Sequence, residues 1–306
     1  MGGPGQRSPG RGQDGEEIVL PGAGAPATVD EASLTFVGAA TVLLEYAGLT
    51  VLTDPSFLRR GQEAPIGYGM RTVRNTDPAV TIEELPPVDV VVLSHYHGDH
   101  FDPVAERHLD RGLPLVTTPH AAAILKRKGF RRAHGLSTWE RLTLSKGEAR
   151  LQVTALPGNH RPGLSWLFPP VMGSLLDFHY PPGRRRLTVY HTGDTLLHPA
   201  LREIPRRVPP IDYMLAHLGG TRVAGLLLTM DGRQGVQLMR LVRPSVTIPI
   251  HFHDYRVYRA PLADFQQAVR AAGLEGGVRY IGHGQTLRLE VPPAQRGPAA
   301  AAERAA

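Results

Sequence analysis

Ser94-His95-Tyr96-His97-Gly98-Asp99-His100-Phe101-Asp102 places three histidines and two carboxylates within nine residues. The stretch just before it, Val88-Asp89-Val90-Val91-Val92-Leu93, is β-branched, apolar and too short for a helix. It predicts a buried strand. The polar cluster therefore stands where a strand ends, which is where α/β folds place their chemistry. The spacing H-x-H-x-D-H offers imidazole and carboxylate donors suited to zinc and similar divalent cations. A solvated loop would explain one histidine. Several ligand types at this spacing argue for a metal site.

Later apolar runs end in the same way. Leu151–Ala155 runs out into Pro157-Gly158-Asn159-His160, and Arg186–Tyr190 into His191-Thr192-Gly193-Asp194-Thr195. Tyr213–Ala216 leads to His217-Leu218-Gly219-Gly220, and Val246–Ile250 to His251. Upstream, Ser33–Val37, Thr41–Tyr46 and Leu49–Thr53 predict an antiparallel meander that stops at Asp54-Pro55. Strands are also predicted at Leu113–Thr117, Ser174–Phe178, Val278–Ile281 and Gln285–Leu289. Helices are predicted from Asp102-Pro103 through Leu109, from Pro119 to Lys128, from Asp231 to near Leu241, and from Asp264 to Ala272. The Gly/Pro-containing stretch from Phe57 to about Ala79 is long for a plain connection and reads as a functional flap. Many short strands with helices between them predict an α/β fold of two packed sheets with helices outside. Strand-end ligands would then meet at one edge of the sandwich.

The chain has 306 residues, 42% of them hydrophobic, which suits a globular core. Its net charge of +6 permits attraction to phosphates or anionic lipid without demanding it. There is no cysteine, so disulfides are excluded and any metal must use nitrogen and oxygen ligands. No apolar run approaches a membrane span. The first residues have no apolar core of a secretory signal, and Gln6 stands where myristoylation wants Ser or Thr. A cytoplasmic protein is the expectation. Residues 1–30 are Gly/Pro-rich and read as a disordered tail, as does the Pro/Ala-rich end from 292 to 306, leaving 31–291 as one domain.

The motifs S-H-Y-H-G-D-H-F-D, L-P-G-N-H, H-T-G-D-T and I-P-I-H, in this order, resemble the metallo-β-lactamase superfamily across nearly the whole chain between the tails. The segment F-V-G-A-A-T-V-L-L-E-Y-A-G-L-T-V-L-T-D-P is similar more narrowly to the branch of ascorbate-6-phosphate lactonase and N-acylphosphatidylethanolamine phospholipase D. Ala39 departs from that branch, which often has His after the glycine. The resemblance implies a four-layer αββα sandwich, two mixed sheets flanked by helices. It implies two divalent cations, zinc first, with manganese and iron compatible. One would be held by His95, His97 and His160, the other by Asp99, His100 and His251, with Asp194 bridging them. A hydroxide shared by the ions would attack a lactone, ester or phosphodiester, and Asp99 would take or relay a proton.

Asp54 is expected to orient a ligand from behind, or simply to begin a turn before Pro55. His253 lies two positions after His251 and His217 precedes two glycines; each is a candidate substrate contact, with a surface or turn residue as the plainer reading. His283, between glycines, reads as part of a turn. Trp166–Met172 is apolar and loop-like, able to line an acyl cleft or cover the core. The basic runs Lys126–Lys128 with Arg131 and Arg132, and Arg184–Arg186, read as solvated surface. The expected substrate is a small molecule or lipid. No stable nucleic-acid partner is expected, because no RNA-binding insertion is visible. The alternatives are a nuclease, an iron redox enzyme and a non-catalytic metal-binding protein on the same scaffold.

Overall fold

The computed structural model describes residues 16–22, 31–67, 69–180, 185–223 and 225–293. Strand β1 is Glu16–Val19, and β2 (Glu31–Gly38), β3 (Thr41–Tyr46) and β4 (Leu49–Thr53) come next as an antiparallel meander. A small hairpin, β5 (Glu63–Pro65) and β6 (Arg71–Val73), lies inside the flap segment. Then come β7 (Val90–Val92), α1 (Pro103–His108), β8 (Leu115–Thr117), α2 (Pro119–Arg127) and β9 (Ala133–Gly135). Both helices start as the sequence predicts. Asp102 accepts from Ala105 N and Thr118 from Ala121 N, with proline in the first helical position each time.

The second half opens with β10 (Arg141–Lys146), β11 (Ala149–Gly158), β12 (Val171–His179) and β13 (Arg186–His191), each antiparallel to the one before it. The short helix α3 (Ile204–Arg207), β14 (Tyr213–His217) and a two-stranded ribbon of β15 (Arg222–Val223) and β16 (Leu226–Leu227) come after them. Helix α4 (Gly232–Val242), β17 (Val246–Ile250), α5 (Leu262–Ala272) and β18 (Thr286–Glu290) complete the described chain.

Two mixed seven-stranded sheets result, in the orders β18-β2-β3-β4-β7-β8-β9 and β1-β10-β11-β12-β13-β14-β17. Period-two alternation sorts side chains between layers. Val90 and Val92 enter the core between the sheets, whereas Val91 and Leu93 face the layer of α1 and α2. Leu215 likewise points between the sheets, and Met214 and Ala216 point toward α4 and α5. Strands covered on both faces read as continuous apolar runs. Each such buried side chain contributes about 1.5–3 kcal/mol. This is the four-layer αββα arrangement expected.

Three local expectations are corrected. Glu16–Val19, inside the stretch read as a tail, pairs in parallel with β10 and buries Ile18 in the core. Arg141–Lys146, where no strand was expected, is β10; Leu142 and Leu144 face inward. Val278–Ile281 is not a strand: Val278 makes a single bridge to Thr247, and Tyr280 is exposed. Residues 1–15, 23–30 and 294–306, most of the two expected tails, lie outside the described residues.

The ends of β4 and β7, parallel in one sheet, and of β13, β14 and β17, parallel in the other, lie at one edge of the sandwich. Asp54, the His-rich loop, Asp194, Leu218–Gly220 and His251 come at or just after those strand ends, and His160 comes just after β11. Among the described residues no helix is long and apolar enough to cross a membrane.

Candidate metal centre

Two groups of ligand-type side chains converge at this edge. His95, His97 and His160 bring donor atoms within 4.8 Å of one another, and so do Asp99, His100, Asp194 and His251. The groups adjoin, since the His95 ring centroid is 4.2 Å from that of His100 and 4.6 Å from that of His160. All seven residues expected as ligands are thus brought together. All are buried except His97, which is partly open.

Several of these side chains are held by partners behind them. Asp54, wholly buried, accepts from Ser94 N at 2.6 Å, Ser94 Oγ at 2.7 Å and His100 Nδ1 at 2.7 Å. His160 Nδ1 lies 3.3 Å from the Leu228 carbonyl, and donating to it leaves Nε2 as the free nitrogen. Thr229 Oγ1 donates to Asp194 Oδ2 at 2.9 Å, and His217 Nδ1 lies 3.1 Å from Asp194 Oδ1. Tyr258 donates to Asp99 Oδ2 at 3.3 Å.

The backbone is bent to achieve this. Asp54 has φ 34° and His251 has φ 60°, both in the left-handed region that side-chain-bearing residues avoid. His251 N donates to the Ala39 carbonyl at 2.9 Å, so the Gly38-Ala39 turn supports that bend. Gly219 allows the approach, because a Cβ there would lie 2.8 Å from the His251 carbonyl oxygen. Gly98 is required in the same way. A Cβ would stand 2.5 Å from the Pro65 oxygen, where the β5–β6 hairpin closes over the His-rich loop.

Charge in the pocket is unbalanced. Asp54, Asp99 and Asp194 are all buried, and the groups that meet them are imidazoles and hydroxyls rather than Lys or Arg. Burial opposes the charge on Asp194, but His251 and His100 outweigh it and hold the carboxyl well below its usual range. Burial also opposes charge on His100, yet Asp194, Asp99 and Asp54 together raise it well above an ordinary imidazole. His97 and His217 go the opposite way. Burial, then His160, lowers His97 to about 3, and burial, then His191, lowers His217 to about 3. His97, neutral beside ionised carboxylates, is in the protonation state a cation needs, whereas a cation would displace the extra proton of His100. Asp99 Oδ1, His100 Nε2, His160 Nε2 and both His251 nitrogens are buried without a hydrogen-bond partner. A nitrogen- and oxygen-lined pocket with excess buried negative charge and unpartnered donors fits divalent cations.

The remaining candidates separate. Asp54 and His217 adjoin the centre, and with His100 form a third overlapping group. His253 is not with His251: the chain after β17 bends rather than extending, and His253 sits with Asp254 and His283 instead. Three neighbours were missed from the sequence. His191 Nε2 is 3.0 Å from His217 Nε2 and 3.7 Å from Asp54 Oδ2. Thr229 and Tyr258 come from loops with no local pattern. His191 alone carried a signal, as another histidine at a strand end.

A cleft of about 520 Å³ opens beside His97, lined by Gly67, Tyr96, His120, Trp166, Phe168, Pro169 and Pro170. Trp166 is 79% exposed. The apolar stretch is split, because Val171 and Met172 begin β12 and are buried.

The chain is similar to known proteins. A family profile described as "Beta-lactamase superfamily domain" matches residues 50–252. A "UPF0173 metal-dependent hydrolase" of Carboxydothermus hydrogenoformans is 28% identical over 258 residues, covering 84% of this chain and 99% of that protein. Another of that name, from Ignicoccus hospitalis, is 30% identical over 207 residues, covering 66% and 79%. Among solved structures, an isothiocyanate hydrolase from Delia radicum gut bacteria superposes with a TM-score of 0.69 at 20% identity, covering 84% and 99%. At that identity the likeness speaks to the fold.

Proposed function

Since the chain belongs to the beta-lactamase superfamily, and within it to the UPF0173 metal-dependent hydrolases, we propose that its hydrolytic site holds two divalent cations and cleaves the ester or lactone bond of a neutral, largely apolar small molecule or lipid. The observation that carries this reading is that the first ligand group opens through His97 onto a cleft whose described lining contains aromatic, proline and histidine residues but no Lys or Arg. A phosphodiester, the other bond type expected from the sequence, would want cations there. The narrower likeness to the lactonase and phospholipase D branch bears on lactones; a phospholipase D cleaves a phosphodiester, which keeps that bond type in the test.

In this reading His95, His97 and His160 hold one cation, Asp99, His100 and His251 the other, and Asp194 both. Zinc is the first choice, with manganese and iron compatible with the same donors. The cations would supply Lewis acidity and a water ionised near neutral pH. The chain's own groups do the rest. Asp54 fixes the His100 ring, and the Leu228 carbonyl fixes His160. Asp194 keeps its charge between the groups under a hydroxyl from Thr229. In the same reading Asp99, which Tyr258 contacts through Oδ2, accepts a proton and returns it to the leaving oxygen. Trp166 and Phe168 cover the apolar part of the substrate and exclude water beside His97.

The test is elemental analysis and a substrate panel on tag-free protein, with Asp194→Ala alongside. The panel holds neutral aryl esters, lactones, phosphodiesters and, because a protein of this fold is an isothiocyanate hydrolase, apolar isothiocyanates. Two equivalents of metal and turnover of neutral esters or lactones, both lost in Asp194→Ala, are expected. Turnover of phosphodiesters alone, or none from metal-loaded protein, would overturn the reading.

A further inference from the structure

A second cluster lies outside the hydrolytic centre. His253 and Asp254, in the bend after β17, meet His283, in the turn before β18, with donor atoms within 4.8 Å of one another. We propose that this His-Asp-His cluster is a peripheral binding site for one borderline divalent cation of the zinc type, which clamps the two segments together.

Distances come first. His283 Nε2 is 3.0 Å from Asp254 Oδ1, and His253 Nδ1 is 3.8 Å from Asp254 Oδ2. Donor atoms around a tetrahedral ion with bonds of about 2.1 Å stand about 3.4 Å apart. The two contacts reach different oxygens of Asp254, so the carboxylate or His283 must turn to bring one oxygen and both imidazoles around an ion, from donor atoms that already lie within 4.8 Å of one another. Two imidazoles and a carboxylate leave a fourth position for water.

The independent observation is Asp254 itself. Its side chain is fully buried, and Oδ2, the oxygen facing His253, has no hydrogen-bond partner. An ionised carboxylate oxygen left so is costly. Oδ1 by contrast is served by Thr76 Oγ1 at 2.6 Å. Burial opposes the charge of Asp254, but the His283 imidazole beside it holds the carboxyl far below its usual range.

The imidazoles are positioned in advance. Their rings stack with centroids 4.9 Å apart. His283 also packs edge-on against Phe36 at 5.0 Å, and His253 stacks on Phe252 at 4.7 Å. The side chains grade outward from Asp254 at 0% exposed to His283 at 18% and His253 at 45%, which is an entry path. Gly38 leaves the necessary room, because a Cβ there would stand 3.3 Å from His283 Cε1 and 3.4 Å from Asp254 Oδ1. The same point is 3.1 Å from Arg74 Nη2. That nearby guanidinium makes this site weaker than the hydrolytic centre.

The test is equilibrium dialysis of the tag-free full chain against a graded series of free zinc, with bound metal read by elemental analysis. Wild type, His283→Gln, His253→Gln and Asp194→Ala are compared. The wild type is expected to take up one further equivalent at a higher zinc concentration than fills the centre. Both histidine variants should lose that equivalent and nothing else, and Asp194→Ala should keep it. His253 is partly exposed, so His253→Gln preserves the test if His283→Gln fails to fold. Equal zinc uptake by wild type and His253→Gln across the series would overturn the inference. A failed reading of the hydrolytic centre would show differently, as equal uptake by wild type and Asp194→Ala.

Discussion

Asp54 Oδ2 and His100 Nδ1 lie 2.7 Å apart, with both side chains wholly shielded from solvent. The carboxylate fixes which nitrogen of His100 carries its proton and turns Nε2 toward Asp99 and Asp194. Asp54→Asn isolates this effect, because asparagine tolerates the left-handed backbone at φ 34°. Metal affinity should fall about 10–100-fold. Competition against a chromogenic chelator measures it, and an unchanged affinity would remove Asp54 from the site.

Chelation should destabilise the protein. Each bound cation at 100 times its dissociation constant adds about 2.7 kcal/mol. For a domain of this size that is about 5–10 °C in Tm per ion. A melt before and after chelation, and again with zinc restored, reads the change. A Tm indifferent to both treatments would mean that the buried carboxylates are balanced some other way.

Acid stability should depend on a pair far from the centre. Arg186 Nε and Nη2 donate to the two oxygens of Asp177 at 2.8 and 2.6 Å across the β12–β13 pair. Burial raises the Asp177 pKa, but Arg186 and His179 outweigh it, and the net shift is downward from 3.8. A lowered carboxyl contributes stability above its unfolded value and loses it as pH falls through the folded one. Asp177→Asn should therefore cost about 1–3 kcal/mol near neutrality. The gap from wild type should narrow below about pH 4. Urea unfolding from pH 3 to 7 checks the sign; a gap that widens in acid would contradict it.

Trp166→Ala separates binding from chemistry. The side chain is 79% exposed at the mouth of the cleft, so its loss should leave stability and metal content unchanged. KM for an apolar ester should rise about 5–20-fold, the value of one aromatic contact, with kcat retained. Steady-state kinetics on the ester identified by the panel would show it. An unchanged KM would place the substrate elsewhere.

Much of this was legible along the chain. Val90–Leu93, Thr41–Tyr46 and Tyr213–Ala216 had to be strands, because β-branched and apolar runs this short bury best between two layers. Asp102-Pro103 and Thr118-Pro119 had to open helices, because each places a capping oxygen before a residue that needs no N–H partner. The seven ligand-type residues announced themselves as polar groups at apolar strand ends. Edge elements were less legible. The pairing that makes a strand of Glu16–Val19 lies with Arg141–Lys146, more than a hundred residues away. Val278–Ile281 carries a strand-like pattern that its neighbour uses only once.

The sequence by itself determined which residue types stand at the strand ends, because local pattern and propensity act over a few positions. Tertiary structure decided what stands behind and beside them. Thr229 and Tyr258 reach the centre from loops, and no periodicity marks a hydrogen bond made across 35 or 159 positions. It also decided the direction of His253. One residue separates it from His251, yet the bend after β17 sends one imidazole to Asp99 and Asp194 and the other to Asp254 and His283. Backbone direction at such a bend is set by what packs around it, here Ala39, Gly219 and Asn75, and not by the residues it carries.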